Sequence, residues 1–349
     1  ELAEANGPDA PSLLLLAGDQ IYADATAGLF DPKDRRARFY DAYREVWTAP
    51  NAREVLRRLP TYMMLDDHEV SDDWHPEDKG DQEHLDNRKW GLGAFEDYQL
   101  AHAPANAAVL CAAAGVTPST VAPNYFYSFE AGGFAFFACD TRTGRKGRAR
   151  IMSPEQFAAL TFWLDDRQRE PAYADKPKFV LSPSVVVPFL NATQGSDAYA
   201  ARSDGWDGFP HSLRALFSFI ADKRIANVVF LCGDPHLSMA SEIRFEGENL
   251  TGLRALCIVA SPFYAPYPFA NAQPQDFLDA GRLPLGSGAG SAMAYRIDPH
   301  SRVGADAANG LGPDSFTTVD VAPEGGGWCV RASVYRPGGA PTVTAFKLP

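Results

Sequence analysis

Three short acidic clusters in this chain each follow directly on an apolar run. Gly18-Asp19-Gln20-Ile21-Tyr22-Ala23-Asp24 comes after residues 13–17, and Asp66-Asp67-His68-Glu69, with Ser71-Asp72-Asp73 behind it, comes after residues 62–65. Gly233-Asp234-Pro235-His236-Leu237-Ser238 comes after a run that ends at Cys232. An ionised carboxylate at the end of a buried strand is costly to desolvate unless a cation or a helix N-terminus pairs with it. Acids crowded into one turn, as at residues 66–73, repel one another unless solvent or a multivalent cation neutralises them. A loop-capping Asp explains Asp19 alone, and a solvated loop explains residues 66–73 alone. Those explanations must be invoked separately for each cluster, whereas one metal centre accounts for all three.

The donor types narrow the metal. Carboxylates with an imidazole and a phenol favour hard cations, and a Tyr22 phenolate would suit ferric iron in particular. Asp234 and His236 can converge on one ion if the turn between them is tight, which Pro235 promotes. His68 fits either a ligand or a hydrogen-bond donor to a phosphoryl oxygen. Two or more cations could share a carboxylate such as Asp19, and a two-metal site activates water and stabilises charge on a transferring phosphoryl group.

These residues need strands to hold them. Continuous apolar runs at residues 12–19, 62–67, 134–140, 178–184 and 227–234 have the length and composition of strands buried on both faces. Helical spacing fills the segments between: residues 31–47, opening Asp-Pro, residues 82–101, and residues 153–169, opening Ser-Pro-Glu. The alternation predicts an α/β sheet with helices on both faces and its ligands beyond the carboxyl ends of the strands, where the acidic clusters fall. Residues 124–140 predict a hairpin turning at Ala131-Gly132-Gly133, residues 317–321 and 328–335 predict late antiparallel strands, and residues 286–292 predict a mobile loop. One compact domain with long loops is expected.

Composition excludes other classes. The net charge of −12, from 44 acidic against 32 basic residues, opposes a general affinity for nucleic acid or anionic membranes. No apolar run approaches the ~18 residues of a membrane span. The five cysteines are far apart and odd in number, which predicts buried thiols rather than a disulfide framework. There is no G-x-S-x-G elbow and no G-x-x-x-x-G-K-[ST] loop. His75, His84, His102, His211 and His300 are expected at the surface.

Taken in order, GDQIYAD (18–24), LDDHEVSDDW (65–74), CDTR (139–142), SPEQFAALTFWL (153–164), SDGWDGF (203–209) and GDPHLS (233–238) resemble the alkaline phosphatase D, or PhoD-like, branch of the calcineurin-like metallophosphatases. The resemblance implies a metallophosphatase-type sandwich of mixed sheets flanked by helices, and an iron and calcium cluster, with other divalent metals admitted, that hydrolyses small phosphomonoesters and phosphodiesters with a metal-activated water. It implies that Asp19 bridges the metals, Tyr22 binds iron, and Asp67, Asp234 and His236 complete the ligands. His68 would contact the phosphoryl or leaving-group oxygen. Arg142 would contact substrate, with a structural ion pair as its equal alternative. SDGWDGF either lines the pocket or caps the helix near Pro210, and a structural role is the reading taken.

The sequence departs from the family at two places. Relatives carry a further Cys or acidic ligand on a preceding strand, and residues 1–12 hold neither a Cys nor a strand-like run, so the expectation is a catalytic domain over residues 1–349 without that first motif. Asp72 stands where many relatives have Asn. The competing expectation is a non-catalytic metallophosphatase-fold fragment that at most binds cations. Residues 1–10 carry no signal; an upstream one would send the protein to the bacterial periplasm or outside the cell, and without one it would stay in the cytoplasm.

Overall fold

A computed structural model describes residues 10–23, 35–77, 80–187, 203–263, 281–285, 293–303 and 314–349. The apolar runs become strands where the sequence marks them. β1 (Leu14–Leu16) and β2 (Thr61–Met63) pair in parallel as a small sheet of their own. β4 (Phe134–Ala138), β5 (Lys178–Ser182), β6 (Val228–Cys232) and β8 (Arg254–Val259) form the parallel centre of an eight-stranded sheet. Its antiparallel members are β3 (Tyr127–Ala131), β7 (Ser238–Glu246), β9 (Gly281–Pro284) and β10 (Ala294–Val303), in the order β3-β4-β5-β6-β8-β7-β10-β9. β11 (Phe316–Glu324), β12 (Gly327–Tyr335) and β13 (Thr342–Leu348) make a third, antiparallel sheet.

The described helices are α1 (Arg35–Thr48), α2 (Pro50–Arg58), α3 (Gln82–Tyr98), α4 (Ala107–Ala113), α5 (Pro154–Arg169) and α6 (Pro210–Lys223). Two begin on side-chain caps visible in the sequence. Asp81 accepts from the amides of Glu83 and His84 at the start of α3, and Ser153 accepts from the amide of Gln156 at the start of α5. Among the described residues no helix is long and apolar enough to cross a membrane.

The two faces of the large sheet have different covers, which corrects the expectation of helices on both. Ala135, Phe137, Val180, Val228, Phe230, Ala255 and Cys257 share one core with Leu160 and Trp163 of α5 and with Leu216, Phe217 and Ile220 of α6. The alternate residues Phe136, Ala138, Phe179, Leu181, Val229, Leu256 and Ile258 face instead Val330, Ala332, Phe346 and Leu348 of the third sheet and residues of β1 and β2. The result is a sheet sandwich with helices outside it, as the resemblance implies. A period of two sends successive side chains to opposite cores, so a run apolar throughout is what such a strand requires. Rings of Tyr62, Phe129, Phe136 and Phe179 stack with centroids 3.5, 4.7 and 4.8 Å apart, which fastens the two-stranded sheet and the acidic turn after it onto the large sheet.

The hairpin turns on Gly132 and Gly133, both at positive φ (59° and 79°), as a two-residue turn between antiparallel strands demands. All five cysteines are free and buried. Asp24 and the loop at residues 286–292 lie outside the described residues.

At the amino end of β5, away from the acidic clusters, Lys178 is fully buried and its Nζ donates to the carbonyls of Ala174 (3.0 Å), Lys176 (3.1 Å) and Ala226 (3.1 Å). Lys178→Met removes the shared donor and leaves those acceptors in the interior. The expected loss is about 1–3 kcal/mol of folding stability, read as a lower urea midpoint at unchanged slope.

Candidate metal centre

Two glycines let the strand ends meet. A Cβ on Gly18 would lie 2.4 Å from Cβ of Asp66, and one on Gly233 would lie 2.4 Å from the carbonyl oxygen of Ala17, so only hydrogen fits at either place. The turns after β1, β2 and β6 therefore touch, and they carry the three acidic clusters. Asp19 (φ 56°) and Asp234 (φ 78°) follow these glycines in the left-handed region, where a residue with a Cβ is strained.

Within this junction Asp19, Asp67 and His68 bring one ligand atom each to within 4.8 Å of one another. A second group, Asp67, Asp73 and Asp204, meets the same limit. Asp67 is common to both, whereas the resemblance gives the shared position to Asp19. Tyr22 OH lies 3.0 Å from Nε2 of His236, and the Tyr22 ring packs 4.5 Å from that of His68. The amide of His68 donates to Oδ1 of Asp19 (3.4 Å), and that of Asp73 to Oδ2 of Asp67 (2.6 Å). Asp72, the position that departs from the family, is exposed, with its carboxylate 3.8 Å from Nε2 of His68.

Arg142 is fully buried beneath the acids. Nε pairs with Asp66, Nη2 reaches Oδ1 of Asp67 at 3.2 Å, and Nη1 pairs with Asp204. Arg145 pairs with Asp204 as well, and its Nη2 donates to Oγ of Ser184 at 2.9 Å. Asp140 shapes the turn that delivers both arginines, accepting from the amides of Arg142 (3.0 Å) and Thr143 (2.9 Å).

The electrostatics are those of a cation trap, with buried carboxylates short of positive charge. Burial pushes the Asp19 carboxyl well above its usual range, and Asp67, Asp66, Glu69 and Asp234 push it the same way. Burial does the same to Asp234, with Asp66 and Asp204 adding to it against Arg142. Asp66 is raised to about 7, chiefly by burial, with Arg142 opposing and Asp67 adding. For Asp204 burial also raises, but Arg142 and Arg145 outweigh it and bring the carboxyl down to about 2. Two guanidinium groups thus secure Asp204, while Asp66 and Asp67 share Arg142 and the neighbours that weigh most on Asp19 are acids.

A family model for PhoD-like phosphatases matches residues 2–278, most of the chain and every residue named in this centre. The chain belongs to the PhoD-like phosphatase family. The solved structure of PhoD shares its fold, with a TM-score of 0.58 at 15% sequence identity over 96% of this chain. The chain spans 65% of that structure's length. No curated protein matches it.

The family's dependence on metal fits the donors present. Carboxylate oxygens and the His68 imidazole converge in two overlapping groups, with the Tyr22 phenol against His68 and His236, and the burial and mutual repulsion that lift Asp19, Asp66 and Asp234 are what a multivalent cation relieves. Of the residues singled out in the sequence, Asp19, Asp67 and His68 come together in one group, Arg142 pairs with Asp67, and Tyr22 links His68 to His236; Asp234 lies near enough to feel Asp66, Asp204 and Arg142, but neither it nor His236 belongs to either three-residue group. The structure adds Asp73 and Asp204 to the possible ligands, and Asp66, Glu69 and Arg145 to their supports. Of these, Asp66, Glu69 and Asp73 stand in the LDDHEVSDDW motif and Asp204 in SDGWDGF, although the sequence assigns none of them a role; Arg145 lies outside every motif. Of the remaining histidines, His102 and His211 are exposed and His75 and His84 half-buried; the side chain of His300 is outside the described residues.

Proposed function

We propose that this chain is a metal-dependent hydrolase of phosphomonoesters and phosphodiesters that uses an activated water. The observation that carries the reading is the pair of possible cation groups sharing Asp67 where the ends of β1, β2 and β6 meet. Asp19, Tyr22, Asp67, Asp234 and His236 would hold the cations, with Asp73 and Asp204 as further oxygen donors. Tyr22 argues for iron at one position and the all-carboxylate group Asp67, Asp73 and Asp204 for calcium at the other. Such cations, when bound, supply activation of water and neutralisation of charge on the transferring phosphoryl group.

The chain's own groups divide the remaining work. His68, half-buried and held at its backbone by Asp19, would give a hydrogen bond or a proton to the phosphoryl or leaving-group oxygen. Arg142 is paired with three carboxylates and fully covered, so its service is to hold Asp66, Asp67 and Asp204 in place rather than to meet the ester. No side chain need act as a covalent nucleophile.

The test is hydrolysis of a chromogenic phosphodiester and the matching monoester by protein supplied with iron and calcium, beside a chelator-treated sample and Asp19→Asn. Activity should vanish with chelator and fall about 100-fold in the variant, the upper end of what loss of a group that merely supports a ligand costs. Bound metal measured by elemental analysis identifies the cations. Chelator-resistant hydrolysis, or none in folded wild type loaded with both metals, overturns the reading.

A further inference from the structure

Glu69 lies in the most acidic turn of the chain, yet its carboxylate is directed at backbone amides. It is fully buried, and both oxygens are occupied by donors. Oε2 accepts from the amide of Asp66 (2.8 Å) and from that of Asp19 (3.2 Å). Oε1 accepts from the amide of Gln20 (2.7 Å) and from Nε2 of Gln99 (3.4 Å). Gln99 also donates to the hydroxyl of Tyr43 in α1, at 2.7 Å. One side chain thus ties the turn after β1 to the turn after β2 and anchors both to the helical layer.

Its bonds fall on the atoms that decide where the ligands point. The amide it holds at Asp19 belongs to a residue with φ of 56°, a conformation that needs compensation. The amides at Gln20 and Asp66 flank Asp19 and Asp67. A carboxylate that accepts several backbone N–H bonds is among the stronger neutral-to-charged contacts a protein makes, and here it supplies acceptors that water cannot reach.

We propose that Glu69 is a positioning residue for the metal centre: by accepting the amides of Asp19, Gln20 and Asp66 it fixes the two ligand-bearing turns in register before any cation binds. The inference rests on the metal-dependent reading for its consequence, but the tie between the turns exists without metal. An amide at this position has one acceptor oxygen instead of two, so Glu69→Gln opposes an NH2 group to at least one backbone N–H.

The experiment uses the metal-stripped full chain. Hydrogen exchange in the segments containing residues 18–22 and 64–68 is expected to speed up in Glu69→Gln while the strands of the large sheet keep their protection. Free Mn2+, followed by its paramagnetic resonance, is then titrated into wild type and variant below their unfolding temperatures. Affinity in Glu69→Gln should fall about tenfold or more, within the range for supports of metal ligands, and kcat should fall with KM nearly unchanged. Unchanged Mn2+ affinity in a folded variant reduces Glu69 to a structural contact and overturns the proposal. If Glu69→Gln does not fold, Gln99→Met, which keeps the carboxylate but cuts its anchor to Tyr43, should still weaken Mn2+ binding severalfold, and wild-type affinity there also overturns it. Wild type that binds no Mn2+ would sink the metal reading itself, an outcome recognisable because it precedes any substitution.

Discussion

Arg142→Met is expected to cost about 3–5 kcal/mol of folding stability, the usual consequence of stripping the counter-charge from a buried ion cluster. Three carboxylates depend on this guanidinium. Asp66 is fully buried, Asp67 nearly so, and Asp204 owes its depressed pKa to Arg142 and Arg145 against the pull of burial. A methionine fills similar space and leaves those charges facing one another with Arg145 alone to compensate. The loss should be largest at neutral pH without metal and smaller at pH 5, where the carboxylates can take up protons instead. Urea denaturation at both values, with chelator present, checks it. The measurement also separates the two roles that the sequence leaves open for Arg142. A residue whose work is to contact the ester would give a stable variant with a raised KM, and a loss under 1 kcal/mol would favour that role.

The legibility of this chain follows from which interactions are local. β4, β5 and β6 can be read because strands between two cores are apolar through their middles, and the shorter, half-buried β1 and β2 because each is an apolar run stopped by acids. β7 escapes the same reading: Ser238, Ser241 and Glu242 are buried within it, so its sequence shows neither a continuous run nor a clean alternation. The cover of the second face is equally hidden, since nothing in residues 134–138 says whether a helix or a sheet lies on Phe136. In the centre, Asp19, Asp67, Asp234 and His236 announce themselves because a carboxylate directly after a buried strand demands an explanation. Glu69 does not, for it reads as one more acid in an acidic turn, and only folding reveals that it accepts amides from residues 49 and 50 positions away. Asp204 is separated by 59 residues from Arg145, and its pairing is a property of the fold, not of its own neighbourhood.

Removal of metal should make stability fall as pH rises from about 5 to 8. Asp66 titrates near 7 in the folded chain against an ordinary value of 3.8, and burial and neighbouring acids move Asp19 and Asp234 the same way, as burial does Glu69 against the amides it accepts. Between those limits the folded state keeps protons that the unfolded chain has released, so each unit of pH costs stability across this window. For Asp66 acting alone the span of about 3 units, from about pH 4 to 7, amounts to about 4 kcal/mol, or roughly 5 °C in Tm for a chain of this size. Asp204 works in the opposite sense, but only at more acid pH, since stability gained from its ion pairs is present above about 4 and lost toward 2. A cation in the centre replaces the protons as the neutralising charge, and at pH 8 it has no protons to displace. Saturating calcium should therefore raise Tm more at pH 8 than at pH 5 and flatten the dependence on pH. Scanning calorimetry of chelator-treated and calcium-loaded protein across this range tests both halves. A metal-free Tm that climbs toward pH 8, or a calcium effect equal at the two pH values, would mean that the raised carboxylates are not where the cation binds.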